Sequence, residues 1–248
     1  MSAPVFVADA ATLAEAVAGA RIRLTGPEGH HAATVRRLRP GEPVVVTDGT
    51  GRAAACRVAA VMGRDVVELD VDTVRDEPAP APRLVVVQAL AKGEHGELAV
   101  DLMTQVGVDV IVPWAASRSV VQWRGDKLAK GRARWRATAH EAAKQARRAR
   151  FPEVTEPAST AEVVALLQIA ACALVLHESA EQPLAGLALP DAGDVVVVVG
   201  PEGGIAPDEL DAFVGAGAVV VRLGETVLRT SSAGAAALAV ASAATRWR

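Results

Sequence analysis

From Leu84 onward the chain alternates between short, uninterrupted apolar runs and longer mixed stretches. Leu84 to Leu90, Asp109 to Trp114, Ala173 to Leu176, Val195 to Val199 and Val219 to Leu223 predict five strands covered on both faces. Helices are expected after Lys92-Gly93-Glu94 through Val106, over Asp126 to Arg150, over Ala161 to Ala171, from Pro207, and over Ser231 to Arg246. Strands separated by helices make a parallel sheet with helices on its faces. The first part of the chain reads differently. Val5 to Val7, Ile22 to Leu24, Val44 to Val46, Ala55 to Val58 and Val66 to Leu69 are short strands bounded by turn residues. Asp48-Gly49-Thr50-Gly51 is a hairpin signal, and regular strand spacing suggests a small β-barrel. Gly29 to Arg39 is expected to form one short helix. Arg75 to Arg83 reads RDEPAPAPR, an extended and stiff connector. The expected division is therefore residues 1–74 as a β-barrel, 75–83 as a linker and 84–248 as an α/β domain.

Composition sharpens this reading. Half of the 248 residues are hydrophobic, but Tyr is absent and aromatics make up only 3%, so the core must be built from Val, Leu and Ala. The net charge of −3 hides an uneven distribution. Lys127 to Arg150 holds nine Lys/Arg against one Glu, an excess of eight that leaves the rest of the chain at −11. A basic element on an acidic body points to a polyanion docking at one place. Cys56 and Cys172 stand far apart with no C-x-x-C, so neither a disulfide framework nor a zinc site is expected. No signal peptide precedes the first strand, and no uncharged run reaches the ~18 residues of a membrane span. The expectation is a cytoplasmic, metal-free protein.

Two loops carry the strongest chemical signal. Val195 to Val199 ends in Gly200-Pro201-Glu202-Gly203-Gly204. One helix and one strand later, Leu223 ends in Gly224-Glu225-Thr226-Val227-Leu228-Arg229-Thr230. Glycines at 200, 203 and 204 remove β-carbons that would keep a planar ring off the main chain. In parallel sheets ligands gather at carboxyl ends of strands. Neither a Walker phosphate loop nor a G-x-G-x-x-G fingerprint is present, so a phosphate-cradling nucleotide enzyme is not supported. Lys92 and Ser117-Arg118-Ser119 follow two other strands at the same edge. Arg229 is the stronger candidate, because a long cation beside a glycine-rich loop has few structural reasons to be there.

On the basic helix, Trp135, Ala139, Ala142 and Ala146 form an apolar stripe. Glu141, Gln145 and Arg148 recur at i, i+4 and i+7, a row that suits a nucleobase edge and a phosphate; a solvated helix face is the plainer alternative. Lys144 and Arg147 add charge. In the first domain, Arg36, Arg37 and Arg39 are further candidates for phosphate contacts.

With these residues assembled, the chain resembles the RsmE family of ribosomal RNA methyltransferases, within the SPOUT superfamily, over essentially its whole length. The matching pieces are His30-His31 through Arg39, Lys92-Gly93 to Gly107, Val108 to Trp114 with Ser117-Arg118-Ser119, and Arg134-Trp135 with Glu141 through Gln145, Arg148 and Pro152. They continue with Leu176-His177-Glu178, Gly200 to Gly204 and Leu223 to Thr230. Departures are Gln105, where the family commonly has Glu, and Ala206, where a capping Ser is usual; losing such a cap costs about 1 kcal/mol. The resemblance implies an N-terminal PUA-like RNA-binding β-barrel and a C-terminal SPOUT α/β domain tied in a trefoil knot. It implies a homodimer that methylates N3 of a uridine in 16S rRNA of the small ribosomal subunit with S-adenosylmethionine.

The cofactor would then lie against Leu176, His177, Gly200, Pro201, Glu202, Gly203, Gly204, Leu223, Gly224, Val227, Leu228 and Thr230. Arg229 or Arg118 would stabilise charge on a carbonyl oxygen, and Glu141 would act as base or orient an Arg. RNA would meet Arg36, Arg37, Arg39, Lys92, Lys144, Gln145, Arg147 and Arg148. The alternative is a ribosome-associated RNA-binding protein without catalysis, which leaves the two glycine loops without a purpose. The Ala-rich last helix has few polar residues on any side, which suits either a dimer interface or a core helix of one subunit.

Overall fold

The structure is a computed structural model that describes residues 3–248. It divides into two compact units. The first contains β1 (Val5–Val7), β2 (Arg21–Leu24), β3 (Pro43–Thr47), β4 (Arg52–Met62) and β5 (Val66–Asp76), with a short helix α1 (Ala10–Ala14). They form one mixed sheet in the order β1-β3-β4-β5-β2, in which only β1 and β3 run parallel. Register shifts at Ala55/Cys56 and Val58/Ala60 mark bulges in the long β4–β5 pair, and bulges bend and twist a strand. The result is a curled sheet open along one side, half a barrel. Its concave face is filled by Phe6, Leu13, Ile22, Leu24, Val46, Val58 and Leu69. On the outer face Arg21 and Arg23 stand opposite Asp70 and Glu68 and pair with them across the strands, a sheet's usual way of using exposed charges.

The helix expected over residues 29–39 is shorter and starts earlier. Helix α2 (Gly26–His30) passes into a π-helical turn, His31–Val35. Arg37 then takes a left-handed backbone, φ 53°, and the Leu38 amide returns to Ala32 O at 3.1 Å. Burial of Ala32 and Leu38 explains the reversal. Strand β5 continues to Asp76, past the expected linker start, and the unit ends at Ala79. The same unit takes in Ala143–Phe151. The Ala149 carbonyl accepts from Gly51 N and Thr47 Oγ1, each at 3.0 Å, and Phe151 N donates to Gly49 O at 2.8 Å.

The second unit is the expected parallel sheet: β6 (Arg83–Ala89), β7 (Val110–Trp114), β8 (Glu153–Val154), β9 (Cys172–Leu176), β10 (Asp194–Val199) and β11 (Val219–Val221). The order is β11-β9-β10-β6-β7-β8. The two-residue β8 is an edge strand too short for periodicity to reveal. Alternate residues of β6 serve two cores. Leu84 and Val86 pack with α3 (His95–Val106), α4 (Asp126–Gln145) and α7 (Thr230–Ala244); Val85 and Val87 pack with α5 (Thr160–Ile169) and α6 (Pro207–Gly215). Both faces being covered is why these strands read as unbroken apolar runs. Helix α4 stops at Gln145 rather than Arg150, because Arg147 adopts φ 56°. That break takes Arg148 off the helical row expected with Glu141 and Gln145. Among the described residues no helix is long and apolar enough to cross a membrane.

Candidate active site

Strand β9 lies between β10 and β11, so the loops after all three strands meet at one edge. They enclose a cavity of about 500 Å³, within the size range of small-molecule sites. Its walls are apolar where Leu176, Val199, Val221, Leu223, Val227 and Leu228 contribute, and polar where His177, Glu178, Glu202, Glu225, Arg229 and Thr230 do. Every cofactor candidate named from the sequence lines it except Gly203; Arg229 lines it as well. His95, Glu178, Thr226 and Ser231 also line it and were not among the cofactor candidates. His95 starts α3, a position no local pattern connects to loops more than eighty residues away.

The glycines of the first loop do something other than expected. A Cβ on Gly200 would lie 2.8 Å from the Ile205 side chain, and one on Gly203 would lie 3.2 Å from Arg118 O. Those two are small because protein packs against them. Gly204 is required by conformation: it has φ 73°, and its amide closes the turn on Pro201 O at 2.9 Å. Glu202 Oε1 accepts from the Lys92 amide at 3.1 Å, so the β6 loop and the turn are joined. At the other wall the Ser179 amide and hydroxyl both meet His177 Nδ1, at 3.2 and 2.8 Å.

Behind the turn sits a carboxylate that sequence reading missed. Glu209, on the first turn of α6, is 4% exposed. Its Oε1 accepts from Ser117 N at 2.9 Å and Thr160 Oγ1 at 3.0 Å, and its Oε2 from Ala206 N at 3.2 Å. Thr160 Oγ1 in turn accepts from Trp114 Nε1 at 3.2 Å. Ala206 cannot cap α6 with a side chain, but the reciprocal arm of the capping box, Glu209 to the Ala206 amide, is in place. The Ser117-Arg118-Ser119 loop, α5 and α6 are thereby fixed to one side chain. Arg118 Nη1 points at Gly203 O and Ile205 O, at 3.4 and 3.5 Å.

The remaining candidates divide. Arg229 is the exposed residue that caps α7 at the mouth of the cavity, whereas Arg118 and Glu141 do not line it. Lys144, expected on phosphates, is instead buried: its side chain is 7% exposed and Nζ meets Glu28 Oε1 at 2.7 Å. Glu28 Oε2 also accepts from Val7 N at 3.1 Å, so this pair ties the residues after Ala142 into the first unit. Arg36, Arg37, Arg39, Gln145 and Arg147 are exposed in that unit, Arg148 is half-buried there, and Lys92 is exposed in the second. Among the described residues no cluster of His, Cys, Asp or Glu suits a metal ion.

Chemically, the cavity offers bare main chain and aliphatic walls to a flat ring. Glu178 and Glu202 favour a ligand with positive charge, Glu225 is paired with Arg222, and the Arg229 guanidinium stands at the entrance. Comparison with known proteins agrees with that reading. Residues 77–242 match the family model described as an RNA methyltransferase domain, and 24–71 match an RNA methyltransferase PUA domain. A protein of Mycobacterium tuberculosis, Ribosomal RNA small subunit methyltransferase E, is 48% identical over 234 residues, spanning 92% of this chain and 89% of its own. A protein from Legionella pneumophila, solved in complex with the bound cofactor SAM, superposes with a TM-score of 0.84 at 26% identity, over 99% of both chains. Ribosomal RNA small subunit methyltransferase E from Neisseria gonorrhoeae, bound to S-adenosyl methionine, superposes with a TM-score of 0.84 over 98% of both chains. At 23% identity it carries the fold alone.

Proposed function

This chain belongs to the RsmE family of small-subunit ribosomal RNA methyltransferases, and on that premise we propose that it methylates N3 of a uridine in the RNA of the small ribosomal subunit. It is an S-adenosylmethionine-dependent rRNA methyltransferase. The observation that carries the reading is the cavity where the loops after β9, β10 and β11 converge.

The residues present fit the cofactor. Leu176, Leu223 and Leu228 offer apolar contact to an adenine, the main chain at Gly200 and Gly224 lines the same cavity, and Glu178 and Glu202 suit the cofactor's two positive centres. When bound, S-adenosylmethionine supplies an electrophilic methyl carbon. The rest falls to side chains. A uracil N3 has an available lone pair only after losing its proton, and the resulting charge spreads onto the ring carbonyls. Arg229, at the mouth, stabilises that charge as an oxyanion donor does. Arg118 acts on the turn through the Gly203 and Ile205 carbonyls, so its part is positioning. Glu141 does not line the cavity, so the N3 proton is lost to solvent rather than to Glu141. The target base leaves its stack to enter.

The same reading includes a homodimer formed through α7, the family's trefoil knot and action in the cytoplasm. Calorimetry with S-adenosylmethionine and no RNA tests the site: binding supports it, and absence of binding with the protein folded removes it. Mapping methylated uridines in small-subunit RNA from cells with and without the gene tests the product. Light scattering tests the dimer; a monomer at micromolar concentration would remove it.

A further inference from the structure

The loop from Leu90 to His95 has a cavity on each side. His95 lines the cofactor cavity, and the Lys92 amide holds Glu202 there. Leu90, Ala91 and Gly93 line a second cavity of about 490 Å³, shared with the Val120–Trp123 segment and α4.

Its aromatic wall is built with care for space. Trp123 and Trp135 meet edge to face with ring centroids 5.1 Å apart. A Cβ on Gly131 would lie 2.4 Å from the Trp123 ring, and one on Gly96 would lie 3.1 Å from the Trp135 ring. Trp135 is 2% exposed and lines the cavity beside Trp123. The rim is cationic. Lys127, Lys130 and Arg134 fall at i, i+3 and i+7 of α4 and so share one face. Arg134 pairs with Glu97 at 3.2 Å, but Lys127 and Lys130 are exposed and meet no carboxylate among the described residues.

Indoles beside uncompensated cations suit one class of ligand. An apolar ligand has no use for the lysines, and a free phosphate has no use for the indoles. A nucleotide uses both, and aromatic platforms flanked by basic side chains are the recurrent device for holding single-stranded nucleic acid. We propose that this cavity binds a nucleotide of the substrate RNA adjacent to the one that is methylated. Its base lies against Trp123, and its phosphates meet Lys127 and Lys130. That the RNA is the methylation substrate rests on the proposed function; that the cavity takes a nucleotide does not.

The test uses the full chain, Trp123→Ala, and the double variant Lys127→Gln/Lys130→Gln, whose surface positions leave folding intact. A short single-stranded oligouridylate is titrated by fluorescence anisotropy, and methylation of small subunits is followed at saturating S-adenosylmethionine. Each variant is expected to weaken oligonucleotide binding about tenfold. KM for the subunit should rise with little change in kcat, S-adenosylmethionine affinity should stay within about twofold, and Trp123→Phe should restore most of the loss. Unchanged oligonucleotide affinity in the lysine variant would overturn the proposal. So would a lysine variant that changes the mass in light scattering and not the oligonucleotide affinity, which assigns the cavity to a contact between copies. Oligonucleotide binding without any methylation would leave this site standing and remove the proposed function instead.

Discussion

Replacing Glu209 by Ala removes the one carboxylate that joins three elements around the turn. Its three acceptor contacts, with Ser117 N at 2.9 Å, Thr160 Oγ1 at 3.0 Å and Ala206 N at 3.2 Å, go with it. Hydrogen bonds to a charged group contribute about 1.5–3 kcal/mol each, and a buried donor left unsatisfied costs about 1–3 kcal/mol. Against that, a carboxylate 4% exposed carries a desolvation cost, which the substitution relieves by several kcal/mol. The balance is a loss of about 3 kcal/mol. For a chain of this size that lowers Tm by about 6–12 °C. The effect should reach function, because Ala206 lies two residues after Gly204 of the turn and Ser117 precedes Arg118. Affinity for S-adenosylmethionine should therefore fall as well. Glu209→Gln keeps one acceptor oxygen for Ser117 and Thr160 but turns an amide N–H toward the Ala206 N–H, so it should lie between Ala and the native residue. Thermal melts and calorimetry read both. A Glu209→Ala protein that melts within about 2 °C of the native chain would refute the account.

Arg229→Ala should lower turnover by at least about 100-fold, the scale of losing an oxyanion donor, with Tm unchanged; near-normal turnover would take Arg229 out of the chemistry. Lys144→Met removes the charged partner of half-buried Glu28, which keeps the Val7 amide, and should cost about 2 kcal/mol in denaturant unfolding, with no effect on the salt dependence of RNA binding. Burial pushes the Cys56 thiol up to about 12, with help from Asp72 and Asp70. Its ordinary value is about 8.5, so the unfolded chain ionises first and this thiol's contribution to stability is present below that pH and lost as pH rises toward 12. At pH 8 Cys56 should resist alkylation in the folded protein and react on unfolding, as mass spectrometry would read.

What could be read from the residues alone follows the range of the interactions. Val195 to Val199 and the Gly-Pro-Glu-Gly-Gly turn are local signals, and the structure has strand and turn there. Lys144 looked like one more cation of a basic helix, because the carboxylate that takes up its charge lies 116 residues earlier. The π-helical turn after His30 and the left-handed Arg37 and Arg147 answer to tertiary burial, which overrides helix propensity. At Ala206 the missing hydroxyl was legible; the compensation by Glu209 was half legible, since the S/T-x-x-E spacing survives with the first residue altered. The reach of Glu209 to Ser117, 92 residues away, was not. Gly131 shows the same limit from the other side: within a helix it reads as a weak helix former, and only the Trp123 ring against it explains its size.

The concentration of charge on the Lys127–Arg150 segment overstates what RNA can meet there. Arg132 is spent on the carbonyls of Val154 and Thr155 and on Glu156, Arg134 on Glu97, Lys144 on Glu28, and Arg150 on the carbonyls of Glu77 and Pro78. Four cations therefore hold the fold together. Lys127, Lys130, Arg136 and Arg147 are exposed and meet no carboxylate among the described residues. A phosphate contact to single-stranded nucleic acid contributes about 0.7 to the slope of log affinity against log salt. Neutralising Lys130 or Arg136 should lower that slope by about this amount each, whereas neutralising Arg132 or Lys144 should lower Tm and leave the slope alone. A count of charges in the sequence cannot separate these two groups; the partners of each side chain do, and a slope that fell equally for all four substitutions would show that the sorting is wrong.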